Sequence, residues 1–307
     1  MKYIYVLNRF QTREKTPHLI KKLEETSARF NREYEIRIHE TPEDAARLKE
    51  DYRDTEYIVT AIGGDGSINH LLNDLVGTKN ILSFIPFGTG NDFARAMVQE
   101  LSDPVREPDI QERGNQESGL READIVRIND RYFINVACFG IDADIANDDR
   151  FVHSRLIPKP LRFHAGVLFH FLSYRKGRRL KVECNGETIE KEVTSVVAAN
   201  SQYYGGGYRI SPGSRIDDGI MEIYIVDHLS RPRMAKVILS MKHAGHLNHP
   251  AVRMIQSGKA VVSSPVPFRA NIDGEPLYSD RFEIELIPKG IWLAYDKAFL
   301  ESFMSQG

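Results

Sequence analysis

Short apolar runs and helical spacings alternate along the first hundred residues. Residues 3–7 are a continuous apolar run of the kind that a parallel sheet buries, residues 58–62 and 81–85 are apolar except for Thr60 and Ser83, and residues 34–38 alternate between apolar and charged side chains. These four segments predict strands. Apolar side chains at helical spacing separate them, so the pattern predicts a doubly wound α/β fold with helices on both faces of a parallel sheet. Ligands of such sheets bind beyond the carboxyl ends of the strands.

The predicted helices begin at recognisable signals. Thr16-Pro17 and Thr41-Pro42 each place a capping side chain before a proline that suits the first helical turn. Two further helices, over about residues 68–76 and 93–97, follow glycine-rich turns. Residues 99–122 then become polar and rich in Pro, Glu, Arg and Gly, which predicts an excursion or a domain boundary.

The second half of the chain reads mostly as antiparallel sheet. Asn129-Asp130 and Asn185-Gly186 are predicted hairpin turns, and a helix is predicted over about residues 231–242. Strands are predicted at residues 125–128, 132–137, 181–183, 188–190, 193–198, 221–226, 260–263, 268–272 and 282–287.

Composition narrows the class of protein. The 307 residues favour two domains, and 41 lysines and arginines against 43 aspartates and glutamates give no global attraction to nucleic acid. Only two cysteines are present, so a reducing cytoplasm is expected. We see neither a signal-peptide core nor an apolar run long enough to span a membrane, and therefore expect any membrane contact to be peripheral.

The most informative segment is Gly63-Gly64-Asp65-Gly66-Ser67, which directly follows the third predicted strand. Glycines allow a close backbone approach, Ser67 could cap the next helix, and a helix N-terminus attracts phosphate. The segment therefore predicts a phosphate-binding loop, although a capped strand-to-helix turn is the alternative. It matches neither the Gly-x-x-x-x-Gly-Lys loop nor the Gly-x-Gly-x-x-Gly fingerprint.

A second glycine turn, residues 86–92, follows the fourth predicted strand. On its own it would be an ordinary turn with Asn91 or Asp92 as the helix cap. Because the two turns follow neighbouring strands, we expect them to converge on one ligand.

Three acidic segments could carry chemistry or merely form turns. Asp65 would repel phosphate unless a cation intervenes, which hints at Mg²⁺, or it could bond to amides of its own turn. Asp273-Gly274-Glu275 could be a hairpin turn between two strands. Asp217-Asp218-Gly219 could be a tight turn before the strand at 221–226.

Taken together and in order, four segments resemble the diacylglycerol kinase catalytic-domain family, which is shared by bacterial soluble diacylglycerol kinases and sphingosine kinases. The resemblance spans nearly the whole chain. The segments are Gly63-Gly64-Asp65-Gly66-Ser67 with Asn69, Pro86-x-Gly88-Thr89-x-Asn91-Asp92-Phe93, Asp217-Asp218-Gly219, and Asn271-x-Asp273-Gly274-Glu275.

The resemblance implies a fold and a reaction. It implies a nucleotide-binding α/β domain of the NAD kinase and diacylglycerol kinase type over residues 1–122, rejoined by about 292–307, and a mainly antiparallel β-sandwich domain over 123–291 that takes the lipid. The reaction would transfer phosphate from ATP to a lipid hydroxyl in a cleft between the domains, with diacylglycerol as the leading acceptor and phospholipid metabolism as the context. Sphingoid bases, undecaprenol and phosphatidylglycerol are alternative acceptors.

The resemblance also implies roles for individual residues. Asp273 would be the general base, because kinases use an aspartate that accepts the proton of a poorly nucleophilic hydroxyl. Glu275 and Asp65 would complete the catalytic set. The carboxylate of Asp218 and the carbonyls of Arg215 and Ile220 would hold a structural Mg²⁺. Contacts to the nucleotide would come from Asn8, Thr41, Gly63, Gly64, Asp65, Gly66, Ser67, Asn69, Gly88, Thr89, Asn91 and Asp92.

Three positions depart from the family pattern. The first strand ends in Asn8-Arg9-Phe10-Gln11-Thr12, where Asn-Pro, a small residue and Gly are usual. Ser67 replaces a threonine and keeps its hydroxyl, and His70 stands where a glutamate commonly follows the asparagine. Arg9 and His70 leave open a nucleotide-binding or regulatory relative without catalysis. The glycine loop leaves open a second rival, an NAD kinase acting on a soluble nucleotide.

Residues 150–181 carry nine basic and no acidic residues, interleaved with apolar and aromatic ones. Such a mixture favours peripheral contact with an anionic membrane. A buried helix at 161–174 flanked by solvated charge is the alternative, and single-stranded nucleic acid is a distant third, so no nucleic-acid partner is predicted. A homodimer stays open.

Overall fold

The computed structural model describes residues 1–8, 16–39, 42–88, 90–101, 118–148, 150 and 157–305, with only the backbone of residues 8, 42–46, 101, 118 and 159–164. The chain divides into two compact units, which we call unit 1 (Met1–Ala123 with Lys289–Gly307) and unit 2 (Asp124–Pro288). The first boundary lies within strand β5 (Ser118–Ile128), and the second lies within strand β15 (Glu275–Asp296).

Unit 1 is built on a parallel sheet. Its strands run in the order β2-β1-β3-β4, and the last part of β15 adds a further parallel strand beside β4. Helices cover both faces of a parallel sheet, so its central strands are mainly apolar. β3 is accordingly buried along its whole length. The first four strands are β1 (Tyr3–Asn8), β2 (Tyr34–His39), β3 (Ile58–Gly63) and β4 (Ile81–Pro86).

Helices follow the strands of unit 1 as the pattern predicts. They are α1 (Thr16–Arg29), α2 (Pro42–Asp51), α3 (Asp65–Leu75) and α4 (Asp92–Leu101), joined at the end of the chain by α8 (Lys297–Ser305). On one face of the sheet, Leu23 of α1 and Phe299 of α8 belong to one apolar cluster with Tyr5 of β1. The Tyr5 and Phe299 rings stack at 6.1 Å between centroids.

Unit 2 is mainly antiparallel sheet, and every strand pairing recorded within it is antiparallel. Its core contains Phe139, Phe268 and Phe282, whose ring centroids lie 5.0 to 6.4 Å apart. Besides β5 and β15, its strands are β6 (Arg131–Phe133), β7 (Val136–Gly140), β8 (Arg178–Cys184), β9 (Glu187–Ala199), β10 (Tyr203–Tyr204), β11 (Tyr208–Arg209), β12 (Glu222–Asp227), β13 (Val252–Gln256) and β14 (Lys259–Ile272).

In the part of unit 2 that the structure describes, three helices have both ends defined, α5 (Ile141–Ala146), α6 (Lys159–Ser173) and α7 (Arg231–Met241), and a 3-10 turn spans Gly245–Asn248. Of all the helices in the described part of the chain, none is long and apolar enough to cross a bilayer. Cys138 and Cys184 are both free and buried, and burial raises the pKa of each thiol.

Three strand predictions in unit 2 need correction. The strands predicted at 188–190 and 193–198 are one strand, β9. The strand predicted at 132–137 is broken into β6 and β7 at Ile134-Asn135, because the amides there bond to a side chain. The two strands predicted at 260–263 and 268–272 are one strand, β14, with a register shift between Ser263 and Phe268. Helices α5 and α8 were not predicted.

Candidate functional site

The first glycine turn joins the end of β3 to α3. Gly63 is the last residue of β3, and a Cβ at this position would lie 2.2 Å from Ser67 Oγ. No larger residue fits there without moving Ser67, so the glycine keeps the turn tight. Gly64 occupies the helix N-cap and no side chain caps α3, which corrects the prediction that Ser67 is the cap.

The start of α3 presents main-chain donors. Ser67 N–H and Ile68 N–H both bond to Gly64 O. By contrast, no described residue accepts the N–H groups of Asp65 and Gly66. Two unengaged amides at the positive end of a helix form an anion-binding position.

The second glycine turn touches the first, as expected from their strands. A Cβ at Gly88 would lie 2.4 Å from Gly64 Cα, so the two backbones approach as closely as glycine permits. Phe87 N–H also bonds to Gly63 O at 2.8 Å. The loops after β3 and β4 therefore form one continuous surface at the carboxyl end of the sheet.

Asp65 links the two turns. Its carboxylate accepts the amide of Asp92 at 3.1 Å and that of Phe93 at 2.9 Å, both in the first turn of α4. The bonds thus go to the next helix, and not to amides of Asp65's own turn as the alternative prediction had it. Since these α4 amides are occupied, the described anion-binding position lies at α3.

Asn91 and Asp92 shape the second turn. Asn91 has a left-handed φ of 51°, and its side chain accepts Gly88 N–H and donates to Gly88 O, both at 2.9 Å. Asp92 is buried and pairs with Arg95 at 2.6 Å. Asp65 accepts the first two amides of α4, those of Asp92 and Phe93.

The structure gives less detail for the other residues predicted to contact the nucleotide. Asn69 is fully buried within α3, where its main-chain oxygen accepts a bond from Asn73 Nδ2 at 2.8 Å. Asn8 ends β1, and only its backbone is described. Thr41 and Thr89 lie outside the described residues.

In unit 2, Asp273 occupies a two-residue turn between β14 and β15. Asp273 and Gly274 have φ values of 49° and 96°, so the hairpin predicted from the sequence is present. The carboxylate accepts three main-chain bonds: from Ile134 N to Oδ2 at 2.9 Å, and from Asn135 N at 3.1 Å and Val136 N at 2.9 Å to Oδ1. These donors favour the charged carboxylate and fix its orientation.

Neighbouring side chains fix the same turn. Asn271 Oδ1 accepts Gly274 N–H at 3.1 Å, while Asn271 Nδ2 donates to Asn147 Oδ1 at 2.7 Å. Glu275 follows the turn and is partly exposed. The amides of residues 134–136 are functional groups that the sequence analysis missed, since apolar periodicity carries no information about main-chain donors.

The predicted metal residues lie in one turn of unit 2. Asp218 is exposed, its Oδ1 accepts Ile220 N–H at 2.9 Å, and Gly219 has a left-handed φ of 71°. Beneath the turn, the buried Asp124 accepts Gly219 N–H at 2.7 Å. Sequence reasoning missed Asp124, because it is a single charge within a strand-like segment.

Asp218 is the one carboxylate among the three residues predicted to hold a metal ion at this turn. No group of three His, Cys, Asp or Glu side chains in the described part of the chain could hold a metal ion. A site here would therefore need carbonyl oxygens and water beside one carboxylate, which is a donor set that Mg²⁺ accepts.

The basic and aromatic stretch divides into inward and outward parts. On α6, Phe171 packs against the core, whereas Leu168, Phe169 and Leu172 are 57%, 38% and 56% exposed. We call these three residues the α6 apolar face. Its existence corrects the alternative of a fully buried helix.

Only part of the positive charge around α6 is available. Arg178, Arg179 and Lys181 pair with Asp144, Glu190 and Glu183 respectively. Arg175 and Lys176 are exposed and form no such pair among the described residues. The side chains of Arg155, Lys159 and Arg162 lie outside the described set.

Two family models match the chain. The model of the diacylglycerol kinase catalytic domain matches residues 2–127, and that of the YegS C-terminal NAD kinase beta sandwich-like domain matches residues 135–295. Together they cover both units.

Individual proteins are similar over most of their length. A protein named diacylglycerol kinase from Bacillus subtilis is 26% identical over 71% of this chain and 71% of its own length. A probable lipid kinase YegS-like from Chromohalobacter salexigens is 29% identical over 77% of this chain and 75% of its own.

A solved structure shares the fold. The crystal structure of a putative diacylglycerol kinase from Bacillus anthracis superposes with a TM-score of 0.70 at 20% identity, covering 97% of this chain and 98% of the other. The second model alone matches more than half of the residues. The chain therefore belongs to the family that joins a diacylglycerol kinase catalytic domain to a YegS-type beta sandwich-like domain.

Proposed function

We propose that this protein is a lipid kinase that transfers the γ-phosphate of ATP to the hydroxyl of diacylglycerol, giving phosphatidic acid. The observation that carries the proposal is the contact between Gly64 and Gly88, which joins two glycine turns beside the unengaged amides of α3. Family membership and the names of the relatives support lipid phosphorylation as the chemistry.

Unit 1 would hold the nucleotide. The N–H groups of Asp65 and Gly66 would donate to phosphate oxygens, and glycine at positions 64 and 88 lets the phosphates approach the backbone. Asp65 would keep α3 and α4 in register through its two bonds to α4. Its charge near the phosphates calls for a cation in the nucleotide complex.

Unit 2 would supply the acceptor chemistry through Asp273. Three main-chain donors hold the carboxylate charged and oriented, so it would accept the hydrogen bond of the lipid hydroxyl and take its proton as the new P–O bond forms. A weakly basic carboxylate suffices, because proton removal is late in a loose phosphoryl-transfer transition state. Glu275, two residues after Asp273, would be a further member of the catalytic set.

Magnesium would serve two purposes. Bound with ATP, it neutralises charge on the phosphates. At the turn of residues 215–220, the Asp218 carboxylate and the carbonyls of Arg215 and Ile220 would hold a second ion that stabilises the turn.

The acceptor would come from a membrane surface. The α6 apolar face lies beside the exposed Arg175 and Lys176, and such a combination favours reversible contact with an anionic bilayer. Two free, buried thiols are consistent with work at the cytoplasmic side of that membrane.

The experiment is a phosphorylation assay with labelled ATP and Mg²⁺ against diacylglycerol, sphingosine, undecaprenol and phosphatidylglycerol in mixed micelles, with NAD as a soluble acceptor. Labelled phosphatidic acid is the expected product. Labelling of another lipid would reassign the acceptor, labelling of NAD alone would establish the nucleotide-kinase rival, and ATP binding without turnover would indicate a non-catalytic relative.

Asp273→Asn tests the base. Because the amide replaces one acceptor oxygen facing Ile134 N–H with a donor, this variant also loses stability. Turnover and unfolding by urea are therefore measured together, with Asp130→Asn in the exposed β5–β6 turn as the matched control. Turnover retained in a folded Asp273→Asn enzyme would refute the assignment.

A further inference from the structure

Unit 1 contains a cavity of about 510 Å³ that the phosphate-loop chemistry does not use. It lies on the sheet face that α1 and α8 partly cover, and its lining includes Tyr3, Arg32, Thr60, Ser83, Trp292 and Phe299. Thr60 precedes Gly63 by three residues, or about 10 Å along β3. The cavity is therefore set back from the glycine turns, and its volume is in the range of small-molecule sites.

Two hydroxyl groups form part of its lining. Thr60 and Ser83 are register partners on the neighbouring strands β3 and β4, so their side chains point to the same face. Thr60 is only 3% exposed, yet neither hydroxyl bonds to any described residue. Ser83 is half-buried, and both residues line the open cavity, so their hydroxyls can bond to a ligand that binds there.

The charged groups of the lining are already satisfied. Arg32 pairs with Asp296, and its guanidinium lies over the rings of Tyr3 at 4.1 Å and Phe299 at 3.6 Å. Asp296 also accepts Phe299 N–H at 3.0 Å. No charged side chain of the lining is left without a counter-charge, which favours an uncharged occupant.

Apolar side chains surround the cavity on its solvent side. Met1, Leu120 and Trp292 are 68%, 46% and 39% exposed, and all three line the cavity. Exposed apolar side chains gathered at a cavity favour an apolar ligand body.

We propose that this cavity binds an uncharged amphiphile, whose hydroxyl or carbonyl head bonds to Thr60 and Ser83 and whose apolar body lies against Trp292. The site is independent of the proposed kinase activity, since no lining residue belongs to the glycine turns or to the turn of Asp273.

The chain offers a direct reporter, because Trp292 is its only tryptophan. The probe is 4-phenyl-1-butanol, and butylbenzene serves as the matched compound without a hydroxyl. Both are titrated into the full-length protein without ATP or lipid, while Trp292 emission is recorded. A saturable change with both compounds is expected, with tighter binding of the alcohol.

Two variants give the decisive comparison. Thr60→Val should weaken the binding of 4-phenyl-1-butanol about five-fold, which corresponds to the loss of one neutral hydrogen bond. The affinity for butylbenzene should not change. Ala294→Phe should fill the cavity and abolish saturation with both compounds. Thr188→Val, at an exposed strand position in unit 2, is the control and should bind like the original protein.

Circular dichroism establishes that each variant is folded, and Thr60→Val remains informative if Ala294→Phe does not fold. A linear, non-saturable emission change would overturn the site. Saturable alcohol binding that Thr60→Val leaves intact would overturn the head-group assignment. Because the assay contains no kinase substrate, its failure is distinct from failure of the proposed function.

Discussion

Asp65 Oδ1 accepts the main-chain amide of Phe93 at 2.9 Å, so a carboxylate from the first turn of one helix caps the next helix. Removing it leaves two amides of α4 without their acceptor. We expect Asp65→Ala to lower the free energy of unfolding by about 1–2 kcal/mol, as measured by urea denaturation, and to weaken ATP binding.

Asp54→Ala removes an exposed carboxylate of the same unit and should change neither quantity. If Asp65→Ala kept its stability while the Mg²⁺ concentration needed for ATP binding rose more than ten-fold, Asp65 would act mainly through a cation.

The contact between Gly88 and Gly64 predicts an unusually sensitive position. A methyl group at residue 88 would meet backbone atoms, which cannot swing aside as a flexible side chain would. We expect Gly88→Ala to weaken binding of a fluorescent ATP analogue at least ten-fold. Gly258→Ala adds the same methyl group in open space and should bind as before. Equal affinity in both variants would contradict a nucleotide role for the joined turns.

Magnesium binding at the turn of Asp218 predicts a thermal shift that is independent of catalysis. A ligand at a hundred times its Kd stabilises a protein by about 2.7 kcal/mol, which corresponds to several degrees in Tm. We expect millimolar Mg²⁺ without ATP to raise the Tm, and Asp218→Asn to lose that increase. Asp280→Asn, at an exposed position of the same unit, should retain it. If Asp218→Asn kept the full Mg²⁺-dependent increase in Tm, the ion would not bind at this turn.

The α6 apolar face predicts membrane binding with two separable components. Replacing Leu168, Phe169 and Leu172 by glutamine should lower co-sedimentation with vesicles containing 20% phosphatidylglycerol more than ten-fold, since each side chain contributes on the order of 1 kcal/mol or more on burial. The double variant Arg175→Glu with Lys176→Glu should also weaken vesicle binding. The difference from the original protein should be smaller at high salt, because salt screens the attraction between exposed charges. Leu239→Gln, at a leucine of α7 that is 68% exposed, is the control. Equal sedimentation of all variants would exclude α6 from docking.

Asp74 predicts a pH-dependent stability. Burial raises its pKa to about 6 from the ordinary 3.8, with His70 opposing the shift. The folded protein therefore binds more protons than the unfolded chain between these values, and stability falls as the pH rises from about 4 to 6.

Asp74→Asn should accordingly stabilise the protein by about 1–2 kcal/mol at pH 8, after allowance for solvent screening, and leave stability unchanged near pH 3.5. Urea denaturation at both pH values measures this. Glu24→Gln on the exposed side of α1 supplies the same charge change and should have little effect. An equal effect of the two substitutions at pH 8 would rule out burial as the cause.

The strand-helix alternation of unit 1 could be predicted because most of its strands are mainly apolar and the turns after β3 and β4 are rich in glycine. Nothing in that pattern could show that Asp65 caps a different helix, since the bond joins positions far apart in the chain. The short helix α5 follows Gly140 without a capping side chain, and was missed for that reason. The terminal helix α8 does have a start signal in Asp296, whose carboxylate accepts Phe299 N–H, but the sequence analysis did not use it.

The break between β6 and β7 has a similar cause. Apolar alternation through Phe133 and Val136 predicts one strand, but the amides between them bond to Asp273, more than a hundred residues away. The turn at Asp273 was predictable from Asp-Gly alone. Its three donors were not, because main-chain amides have no signature in a sequence.

Unit 1 is made of two separate stretches of chain, and this sets an order of events during synthesis. The edge of β4 can pair with Leu293 and Ala294, and Tyr5 can stack on Phe299, only after these late residues have been synthesised. At cellular rates of elongation, the residues from Asp124 to Pro288 occupy the ribosome for on the order of ten to thirty seconds. The amino-terminal sheet must spend that interval with an open edge and an uncovered apolar face, so the nascent chain, more than the finished protein, is the form that needs chaperone protection.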